Sequence, residues 1–580
     1  MPQLRIALAQ VNPTVGDIGG NIELVVHAVE AAAAEGAHLV ALPEMVVTGY
    51  PVEDLALRLS FVDASRRATT ELAARLGAAG LGDLAVIVGY LDRQSGAADR
   101  VGRPKGSPQN SAAVIADGRV VAHSAKHHLP NYGVFDEYRY FVPGQEALVV
   151  RMHGIDVAVS ICEDIWQDGP SLAARAAGAG LMVVINGSPY EANKDDVRAG
   201  LCIQRATEAG CPLAYVNMVG GQDELVFDGD SLVVSAGDVV ARAPQFRSDL
   251  LVVDLELAAA CRDDSPTGGA LTVRRADLGT SVVETYEPRP PTRAPWLEDE
   301  AEIYGALVLG LRDYVAKNGF RTVLLGLSGG VDSTLTAVIA CDAVGPANVY
   351  GVSNPSDWST RHSVDDAAEL ARRTGLHLDT VEIGELIETF QKQLTLDGVA
   401  EENLQARIRA VIWMGLSNQH GHLVLACGNK SELSVGYTTL YGDAVGGFAP
   451  LKDVSKTLVW KLASWRNASA VERGEQPPIP ENTISKAPSA ELRPGQLDTD
   501  SLPDYRLLDD ILDDYVEQDR SAVDLVAQGF DQDIVTRMLR LVDHAEYKRR
   551  QYPPGPKISV RNFGRDRRLP ITSAWRETAR

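Results

Sequence analysis

Three side chains of the kinds that hydrolyse an amide through a covalent intermediate stand at the ends of apolar runs in the first half of the sequence. Glu44 lies in "LVALPEMVVTGYP", Lys126 lies in "AKHHLPNYGVFDEYRYF", and Cys162 ends the run "VAVSIC". In such a set the carboxylate acts as general base on the thiol and the ammonium stabilises the oxyanion, so that a thioester forms and ammonia leaves. Taken singly, each residue is unremarkable, and Cys162 alone is more typical of a small buried residue at a strand end.

A glycine-rich turn in the second half of the sequence has the composition of a phosphate site. In "TVLLGLSGGVDSTLTA" (322–337) an apolar run ends at about Leu327, Gly329 and Gly330 permit a tight turn, and a helical pattern begins near Asp332. Backbone N–H groups at a helix N-terminus, together with the helix dipole, bind an anion without a lysine. No lysine follows the glycines and G-x-G-x-x-G is absent, which excludes two common phosphate-loop motifs. The turn therefore predicts a phosphate or pyrophosphate ligand; the alternative is a plain strand-to-helix turn with a serine cap.

The apolar pattern predicts two different arrangements of the elements that position these residues. From Leu4 to about Asp254, short apolar runs recur between polar segments and a few alanine-rich helices, which predicts layered sheets flanked by helices. From Glu298 onward, strands alternate with helices, which predicts a parallel sheet covered on both faces. The segment between them is rich in proline, glycine and charge, which predicts a linker in which "TSVVETY" (280–286) could add an edge strand.

Composition and charge narrow the class of protein. A chain of 580 residues exceeds what one hydrophobic core supports, and 45% hydrophobic with 23% charged residues is typical of a folded globular protein. The formal net charge of −23 disfavours a nucleic-acid partner. The six cysteines form no Cys-x-x-Cys pair, so neither a zinc site nor a disulfide framework is indicated. The first residues lack a signal-peptide pattern and no apolar run reaches ~18 residues, which predicts a cytoplasmic enzyme.

The second half of the sequence resembles a known family. Its glycine-rich loop matches the S-G-G-x-D-S signature of the ATP pyrophosphatases, and residues 401–418, 428–463, 486–512 and 546–572 resemble the synthetase domain of NAD synthetases. The resemblance implies that the carboxylate of nicotinic acid adenine dinucleotide (deamido-NAD) attacks the α-phosphate of ATP, and that ammonia then displaces AMP to leave an amide. It also implies a set of contacts to ATP or pyrophosphate: Leu327, Ser328, Gly329, Gly330, Val331, Asp332, Ser333, Thr334, Cys427, Lys456 and Ser489.

The same resemblance assigns a substrate and a metal to this half of the chain. Asn403, Glu432 and Lys548 match residues that face deamido-NAD, and Asp332 and Glu432 match carboxylates that bind Mg²⁺, which neutralises phosphate charge. Cys427 departs from the pattern because family members commonly have a threonine there. A thiol is a weaker hydrogen-bonding group than a hydroxyl, so the expected side-chain contact with ATP is weakened.

The first half, residues 1 to about 255, resembles the nitrilase-type glutaminase domain. The resemblance implies that Glu44, Lys126 and Cys162 form the Glu-Lys-Cys triad of that domain and that the fold is a four-layer αββα sandwich. It also implies a set of residues that recognise glutamine or assist the triad: Tyr132, Ser188, Lys194, Glu163 and Glu137.

Together the two resemblances imply an α/β molecule with a nitrilase-like sandwich at 1–260, a linker at 261–296 and a doubly wound parallel-sheet domain, of the adenine nucleotide α-hydrolase-like kind, at 297–580. The expected reaction is the ATP- and Mg²⁺-dependent amidation of deamido-NAD with ammonia from glutamine, releasing AMP, pyrophosphate and glutamate. The expected partners are these small molecules and further copies of the chain, at least as a dimer through the synthetase domain, with no nucleic acid and no membrane.

Two alternatives remain open from the sequence. Another glutamine-dependent ATP pyrophosphatase, acting on a different nucleotide or on tRNA, would share the loop. A tRNA enzyme needs a basic face, however, and positive charge concentrates only in "KRRQYPPGPKISVRNFGRDRR". A non-catalytic regulator with an inactive amidase domain is disfavoured because Glu44, Lys126 and Cys162 are all present.

Overall fold

The computed structural model describes residues 1–94, 102–260 and 271–578 of the chain. It contains two compact units: the first is Met1–Gln222 with Phe227–Leu297, and the second is Asp223–Val226 with Glu298–Arg580. Residues 261–270 of the predicted linker, including Cys261, lie outside the described residues. Within the described ranges, no helix is both long and apolar enough to cross a membrane.

The chain up to residue 297 is rich in strands, as the recurring apolar runs predict. The strands in the described part of this region are β1 (Gln3–Gln10), β2 (Leu39–Ala41), β3 (Ala85–Arg93), β4 (Pro108–Ala116), β5 (Arg119–Ala125), β6 (Glu146–Met152), β7 (Ile155–Ile161), β8 (Leu181–Asn186), β9 (Leu213–Asn217), β10 (Val219–Gln222), β11 (Leu225–Asp228), β12 (Leu232–Ser235), β13 (Asp238–Arg242), β14 (Asp249–Glu256) and β15 (Thr272–Asp277). The helices there are α1 (Ile18–Ala34), α2 (Leu59–Ala78), α3 (Glu137–Tyr140), α4 (Pro170–Ala176) and α5 (Lys194–Ala209).

Two large sheets form the centre of the first unit. One has the strand order β14-β1-β2-β3-β4-β5 and the other the order β13-β12-β9-β8-β7-β6-β15. Along β8, Leu181, Val183 and Ile185 face the core between the sheets, whereas Met182 and Val184 face α4 and α5. A third core lies between the first sheet and the helices α1 and α2. The layers therefore run helix, sheet, sheet, helix, which confirms the predicted αββα sandwich.

The edge strand of the second sheet comes from a different part of the linker than the sequence suggested. Residues 280–286 form no strand; instead β15, which begins at Thr272, pairs in parallel with β6. Val273 packs against the core between this sheet and the helices α4 and α5, and Ala276 packs against the core between the two sheets. This segment therefore has apolar contacts on both faces of the sheet. Val282 of the suggested segment stays 58% exposed. The linker strand was therefore placed too late in the chain.

The chain after residue 298 alternates helices with a few short strands. Its strands are β16 (Val323–Gly326), β17 (Val349–Ser353), β18 (His377–Thr380) and β19 (Leu423–Leu425) in the described residues. Its helices there are α6 (Asp299–Lys317), α7 (Val331–Val344), α8 (Arg361–Thr374), α9 (Gly384–Leu394), α10 (Val399–His420), α11 (Lys430–Val435), α12 (Lys456–Glu472), α13 (Glu481–Ser485), α14 (Tyr505–Leu512), α15 (Ala522–Ala527), α16 (Gln532–His544) and α17 (Glu546–Arg549).

The sheet of the second unit fixes where a ligand can bind. Its strands are all parallel and lie in the order β18-β17-β16-β19, which confirms the predicted doubly wound sheet. From β16 the chain runs outward through β17 and β18, and it returns on the other side as β19, so the direction of winding reverses between β16 and β19. Ligands of such sheets bind beyond the carboxyl ends of the strands at this reversal.

A separate helical core supports α11, which follows β19. It is built from α11, α14, α15 and α16. On α16 the residues Val535, Met538, Leu539 and Val542 recur at the spacing of one helix face, and all are fully buried there. The second unit therefore packs α11 against this helical core.

Candidate active sites

The first candidate site lies at strand ends in the first unit. Glu44 lies just beyond β2, Lys126 directly follows β5, and Cys162 directly follows β7. Gly89 on β3 passes under the Glu44 turn so closely that a Cβ at this position would lie 2.2 Å from the Met45 nitrogen and 2.6 Å from the Glu44 carbonyl carbon. Only glycine fits at this position, so the close contact with β3 fixes where the Glu44 turn lies on the sheet.

The backbone at Cys162 has the left-handed conformation, with φ of +47°. A residue other than glycine keeps this conformation only where its surroundings hold it. Asp164, in the same turn, accepts hydrogen bonds from the N–H groups of Ile161 (3.1 Å) and of residues 127 and 128 (3.0 and 2.9 Å). One buried carboxylate therefore ties the cysteine turn to the segment that begins with Lys126.

A buried ion network surrounds Lys126. Its Nζ donates to Glu44 Oε1 at 2.8 Å and to Glu137 Oε1 at 3.0 Å. Glu44 accepts two further hydrogen bonds, from Asn110 Nδ2 (2.6 Å) and from the Gly187 N–H (2.7 Å). All three charged residues are at most 2% exposed. The carboxylate of Glu44 is therefore held in one orientation by three donors.

The charges of this network set the protonation of the thiol. Burial raises the pKa of Cys162 well above its ordinary value, with Glu44 adding to the effect and Lys126 opposing it. Burial would lower the pKa of Lys126, but Glu137 and Glu44 outweigh it, so the pKa lies well above its ordinary value and the ammonium stays charged. Burial raises the pKa of Glu137 to about 7. The thiol thus keeps its proton at neutral pH and needs a base to become a nucleophile.

The residues expected to recognise glutamine differ in what they contact in the structure. The Tyr132 hydroxyl donates to Glu163 Oε2 at 2.9 Å, directly beside Cys162 in sequence. Ser188 follows the glycine that binds Glu44, and its N–H donates to Asn217 Oδ1 at 2.9 Å. Lys194 is the first residue of α5. The contacts of all these residues with glutamine stay predictions.

The second candidate site lies at the reversal point of the other sheet. The loop after β16 turns at Gly329, where φ is +77° and a Cβ would lie 2.2 Å from the Ser363 carbonyl oxygen. Gly330 precedes α7, its N–H donates to Ser328 Oγ at 3.2 Å, and Ser333 Oγ donates to its carbonyl at 3.0 Å. Gly330, the N-cap residue of α7, has no side chain that could cap the first turn. The N–H groups of that turn are therefore available to an anion, as the sequence predicts.

Two carboxylates and a lysine meet beside this loop. Lys456 Nζ donates to Asp332 Oδ2 at 2.5 Å and to Glu432 Oε1 at 3.3 Å. Asn429 Nδ2 donates to the other Asp332 oxygen at 2.8 Å, and its own side-chain oxygen accepts from the Glu432 N–H at 3.0 Å. The turns after β16 and β19 are therefore linked directly through Asp332 and Asn429.

Asp509, on α14, holds two of these elements together. Its carboxylate accepts from the N–H and the hydroxyl of Thr457 (2.9 and 2.7 Å) and from the Ser431 hydroxyl. Thr457 lies in the first turn of α12, next to Lys456, and Ser431 lies next to Glu432. One carboxylate thus fixes the helix starts that present the lysine and the glutamate.

The electrostatics of the cluster suit a site for phosphates and a divalent metal. Burial raises the pKa of Glu432 to about 8, with Lys456 opposing and Asp332 adding. Burial would lower the pKa of Lys456, but Asp332 and Glu432 reverse this, so the ammonium stays charged. Among the described residues, no group of three or more His, Cys, Asp or Glu side chains could hold a metal alone. The pair Asp332 and Glu432 fits Mg²⁺, which commonly binds to one or two carboxylates plus substrate phosphates.

Two residues expected to bind ATP lie in different surroundings. Cys427 follows β19, and its Sγ lies at the distance of a weak contact from the carbonyls of Leu425 (3.9 Å) and Gly326 (4.0 Å). Burial raises the pKa of Cys427 to about 12, so it is a neutral thiol. Ser489 Oγ donates to the Gln496 carbonyl at 2.6 Å. Their contacts with ATP stay predictions.

Two residues expected to bind deamido-NAD contact one short segment of the second unit. Asn403 on α10 accepts a hydrogen bond from the Thr439 hydroxyl at 2.7 Å. Lys548 on α17 donates to the carbonyls of residues 436 and 438, each at 2.7 Å. Asn403 and Lys548 are therefore both hydrogen-bonded to the segment 436–439, which directly follows α11.

Several residues that build the sites were not anticipated. Asn110 and Asp164 act through contacts that are remote in sequence, and nothing local distinguishes them. Asn429 could have been found, because "NKSE" is the signature of a reciprocal helix cap, which the structure forms between Asn429 and Glu432. Asp509 stands in an acidic run that resembles an ordinary solvated helix face.

Comparisons with known proteins match both halves of the chain. Residues 5–262 match the carbon-nitrogen hydrolase family and residues 303–552 match the NAD synthase family. A glutamine-dependent NAD(+) synthetase of Acinetobacter baylyi is 42% identical over 583 residues, covering 99% of each chain. One from Thermotoga maritima is 42% identical over 594 residues, covering 100% of each chain.

A solved structure shows the same fold. It is that of a glutamine-dependent NAD+ synthetase from Acinetobacter baumannii in complex with ADP, which is 40% identical with a TM-score of 0.72. The match covers 99% of this chain and 100% of that one. Both resemblances seen in the sequence are confirmed. The chain belongs to the glutamine-dependent NAD(+) synthetase family.

Proposed function

We propose that the chain makes NAD by amidating deamido-NAD at the expense of ATP, with ammonia that it releases from glutamine. Glutamine-dependent NAD synthesis is the activity for which its relatives are named. One chain holds two sites whose side chains suit the two halves of this reaction, and this supports the proposal. The buried Glu44–Lys126 pair lies at the strand ends that also carry Cys162, and Lys456 lies between Asp332 and Glu432 beside a phosphate-type loop.

In the first unit, Glu44 takes the proton of Cys162, and the thiolate attacks the side-chain amide carbon of glutamine. Lys126, whose charge acts on the Cys162 thiol, stabilises the oxyanion that forms. The C–N bond breaks, the leaving nitrogen takes up the proton, and ammonia departs from a thioester. Water, deprotonated by Glu44, then attacks the thioester and yields glutamate and the free thiol. Tyr132, Glu163, Ser188 and Lys194 would bind the polar groups of glutamine.

In the second unit, the deamido-NAD carboxylate attacks the α-phosphorus of ATP and the α–β phosphoanhydride bond breaks. The loop N–H groups and Lys456 receive the pyrophosphate, with Ser489 contributing a contact. Ammonia then attacks the carbonyl carbon of the acyl-adenylate, AMP leaves, and the amide of NAD remains. Asp332 and Glu432 would hold Mg²⁺, which neutralises phosphate charge when bound. Asn403 and Lys548 would bind the dinucleotide.

We also propose at least a dimer, formed through the synthetase unit. Leu386, Phe390 and Leu394 on α9 and Val411 on α10 are 42–72% exposed. An exposed group of large apolar side chains supports association with another copy. A cytoplasmic location is supported by the thiol nucleophile and by the five described cysteines being free, which suits a reducing compartment.

Isotope transfer tests the proposed reaction. Glutamine labelled with ¹⁵N at its amide, incubated with the protein, deamido-NAD, ATP and Mg²⁺, should give NAD that carries the label in its carboxamide. AMP, pyrophosphate and glutamate should appear with it. Formation of ADP and phosphate, or of unlabelled NAD, would contradict the proposal. Mass spectrometry of the products reads both outcomes.

A further inference from the structure

Tyr552 lies beside the synthetase site, although the reaction described above gives it no role. Its ring packs in a small core of the second unit with Ala426, Leu433, Ala444 and Ala449. The residue is only 8% exposed. This packing fixes the ring, so the direction of its hydroxyl is set by the fold.

The hydroxyl points at the turn that follows β19. A Cβ placed on Gly428 would lie 2.4 Å from the Tyr552 hydroxyl oxygen and 3.9 Å from Glu432 Oε2. Only a glycine at this position lets the phenol approach the turn so closely. Gly428 stands between Cys427 and Asn429, which places the phenol at the strand end where this sheet binds ligands.

The hydroxyl is buried, and no described residue forms a hydrogen bond of acceptable geometry with it. Burial raises the pKa of Tyr552 well above its ordinary value, and Asp443 and Glu432 add to this, while the nearby Gly428 amide opposes it. The group is therefore a protonated donor at neutral pH. A buried hydroxyl without a partner destabilises a folded protein, so a partner supplied by a ligand would explain its retention.

We propose that the Tyr552 hydroxyl donates a hydrogen bond to the carboxylate on the pyridine ring of deamido-NAD and so holds the nucleophile of the adenylation step. This inference rests on the proposed function. The phosphates already have donors in the loop N–H groups and Lys456, whereas a carboxylate offers only acceptors and needs a donor. Lys548, proposed to bind the same dinucleotide, lies on the same segment of chain as Tyr552.

The substitution Tyr552→Phe in the full-length protein tests this, with ammonia as the nitrogen source. Phenylalanine keeps the ring packing and removes only the hydroxyl. A hydrogen bond to a charged group predicts a fall in kcat/KM for deamido-NAD of roughly ten- to a hundredfold. The KM for ATP should change less than about twofold, and glutamine hydrolysis by the first unit should stay at the wild-type level. Equilibrium titration with deamido-NAD alone should show the same loss of affinity.

The control is Tyr515→Phe, which removes a half-buried phenol whose hydroxyl already donates to Asp543 Oδ1 at 2.9 Å. It should lower the melting temperature and leave kcat/KM unchanged, whereas Tyr552→Phe should keep or raise the melting temperature. A Tyr552→Phe protein with the kcat/KM of the wild type would overturn the inference. So would a variant with a lower melting temperature whose kcat/KM falls equally for deamido-NAD and for ATP. If the wild-type protein itself forms no NAD from ammonia, the proposed function fails instead.

Discussion

At Lys126, one ammonium holds two buried carboxylates, Glu44 and Glu137, and these two differ in how they are bonded. Glu44 accepts hydrogen bonds on both oxygens. Glu137 accepts from Lys126 and Tyr50 on one oxygen, and its other oxygen has no partner among the described residues. Glu137 is therefore the carboxylate more suited to carry a proton, whereas Glu44 is held by three donors.

The raised pKa of Glu137 predicts how the stability of this network depends on pH. A carboxyl whose pKa rises from 4.5 to about 7 on folding adds stability below pH 4.5, and this contribution is lost as the pH rises through about 7. Between pH 5 and 8, the wild-type protein should therefore lose stability relative to Glu137→Gln, whose side chain does not titrate.

Hydrogen exchange of peptides covering residues 119–165, measured for both proteins across that range, checks this prediction. Protection in the wild-type protein should fall relative to the variant as the pH rises. A constant difference between the two proteins at every pH would mean that Glu137 does not titrate in this range.

Residue types, together with the resemblance to the nitrilase-type glutaminase domain, were enough to choose Glu44, Lys126 and Cys162 as one set, and the structure places Lys126 2.8 Å from Glu44. They were not enough to find Asn110, which reaches Glu44 from another strand. Such supporting contacts depend on which strands become neighbours, and local sequence carries little information about that.

At the scale of elements, the phosphate-type loop depends on the close approach of α8 to the turn after β16. Gly329 combines a left-handed backbone with a Cβ position 2.2 Å from the Ser363 carbonyl oxygen. Gly375, at the end of α8, has nearly the same φ, +80°, but nothing lies within 4 Å of its Cβ position. Alanine in place of Gly375 would therefore introduce only backbone strain, whereas alanine in place of Gly329 would introduce both backbone strain and a steric clash.

Gly329→Ala and Gly375→Ala should each cost roughly 1–2 kcal/mol of stability from backbone strain. Only Gly329→Ala should also displace the loop from α8, and it should lower ammonia-driven NAD formation by at least about tenfold while leaving glutamine hydrolysis intact. Steady-state rates and melting temperatures of both variants test this prediction. Equal activities in the two variants would show that the close approach to α8 does not matter for ATP use.

The alternation of apolar residues predicted the kinds of element and the class of both sheets, because each pattern follows from which faces are buried. It could not give the order of the strands, which depends on pairings between distant segments such as β1 with β14. The linker strand was misplaced for a related reason. Val282 and its neighbours have strand propensity, but β15 pairs with β6 through residues that contact the cores on both faces of the sheet.

At the scale of the molecule, the chain joins a unit that releases ammonia to a unit that consumes it. Each unit has its own hydrophobic cores and its own cluster of buried charges. The two motifs occur in one chain, so the combined activity could be predicted from the sequence. The net charge of −23 agrees with small-molecule substrates and offers little to a polyanion.

On the proposed function, Cys162 serves only to supply ammonia to a synthetase that works without it. The most direct test compares Cys162→Ala with the wild-type protein, using glutamine or ammonium chloride as the nitrogen source and measuring NAD. We expect the variant to lose glutamine-driven NAD formation by at least about a thousandfold and to keep ammonia-driven formation within about twofold of the wild type. Loss of both activities, or retention of the glutamine-driven one, would contradict it.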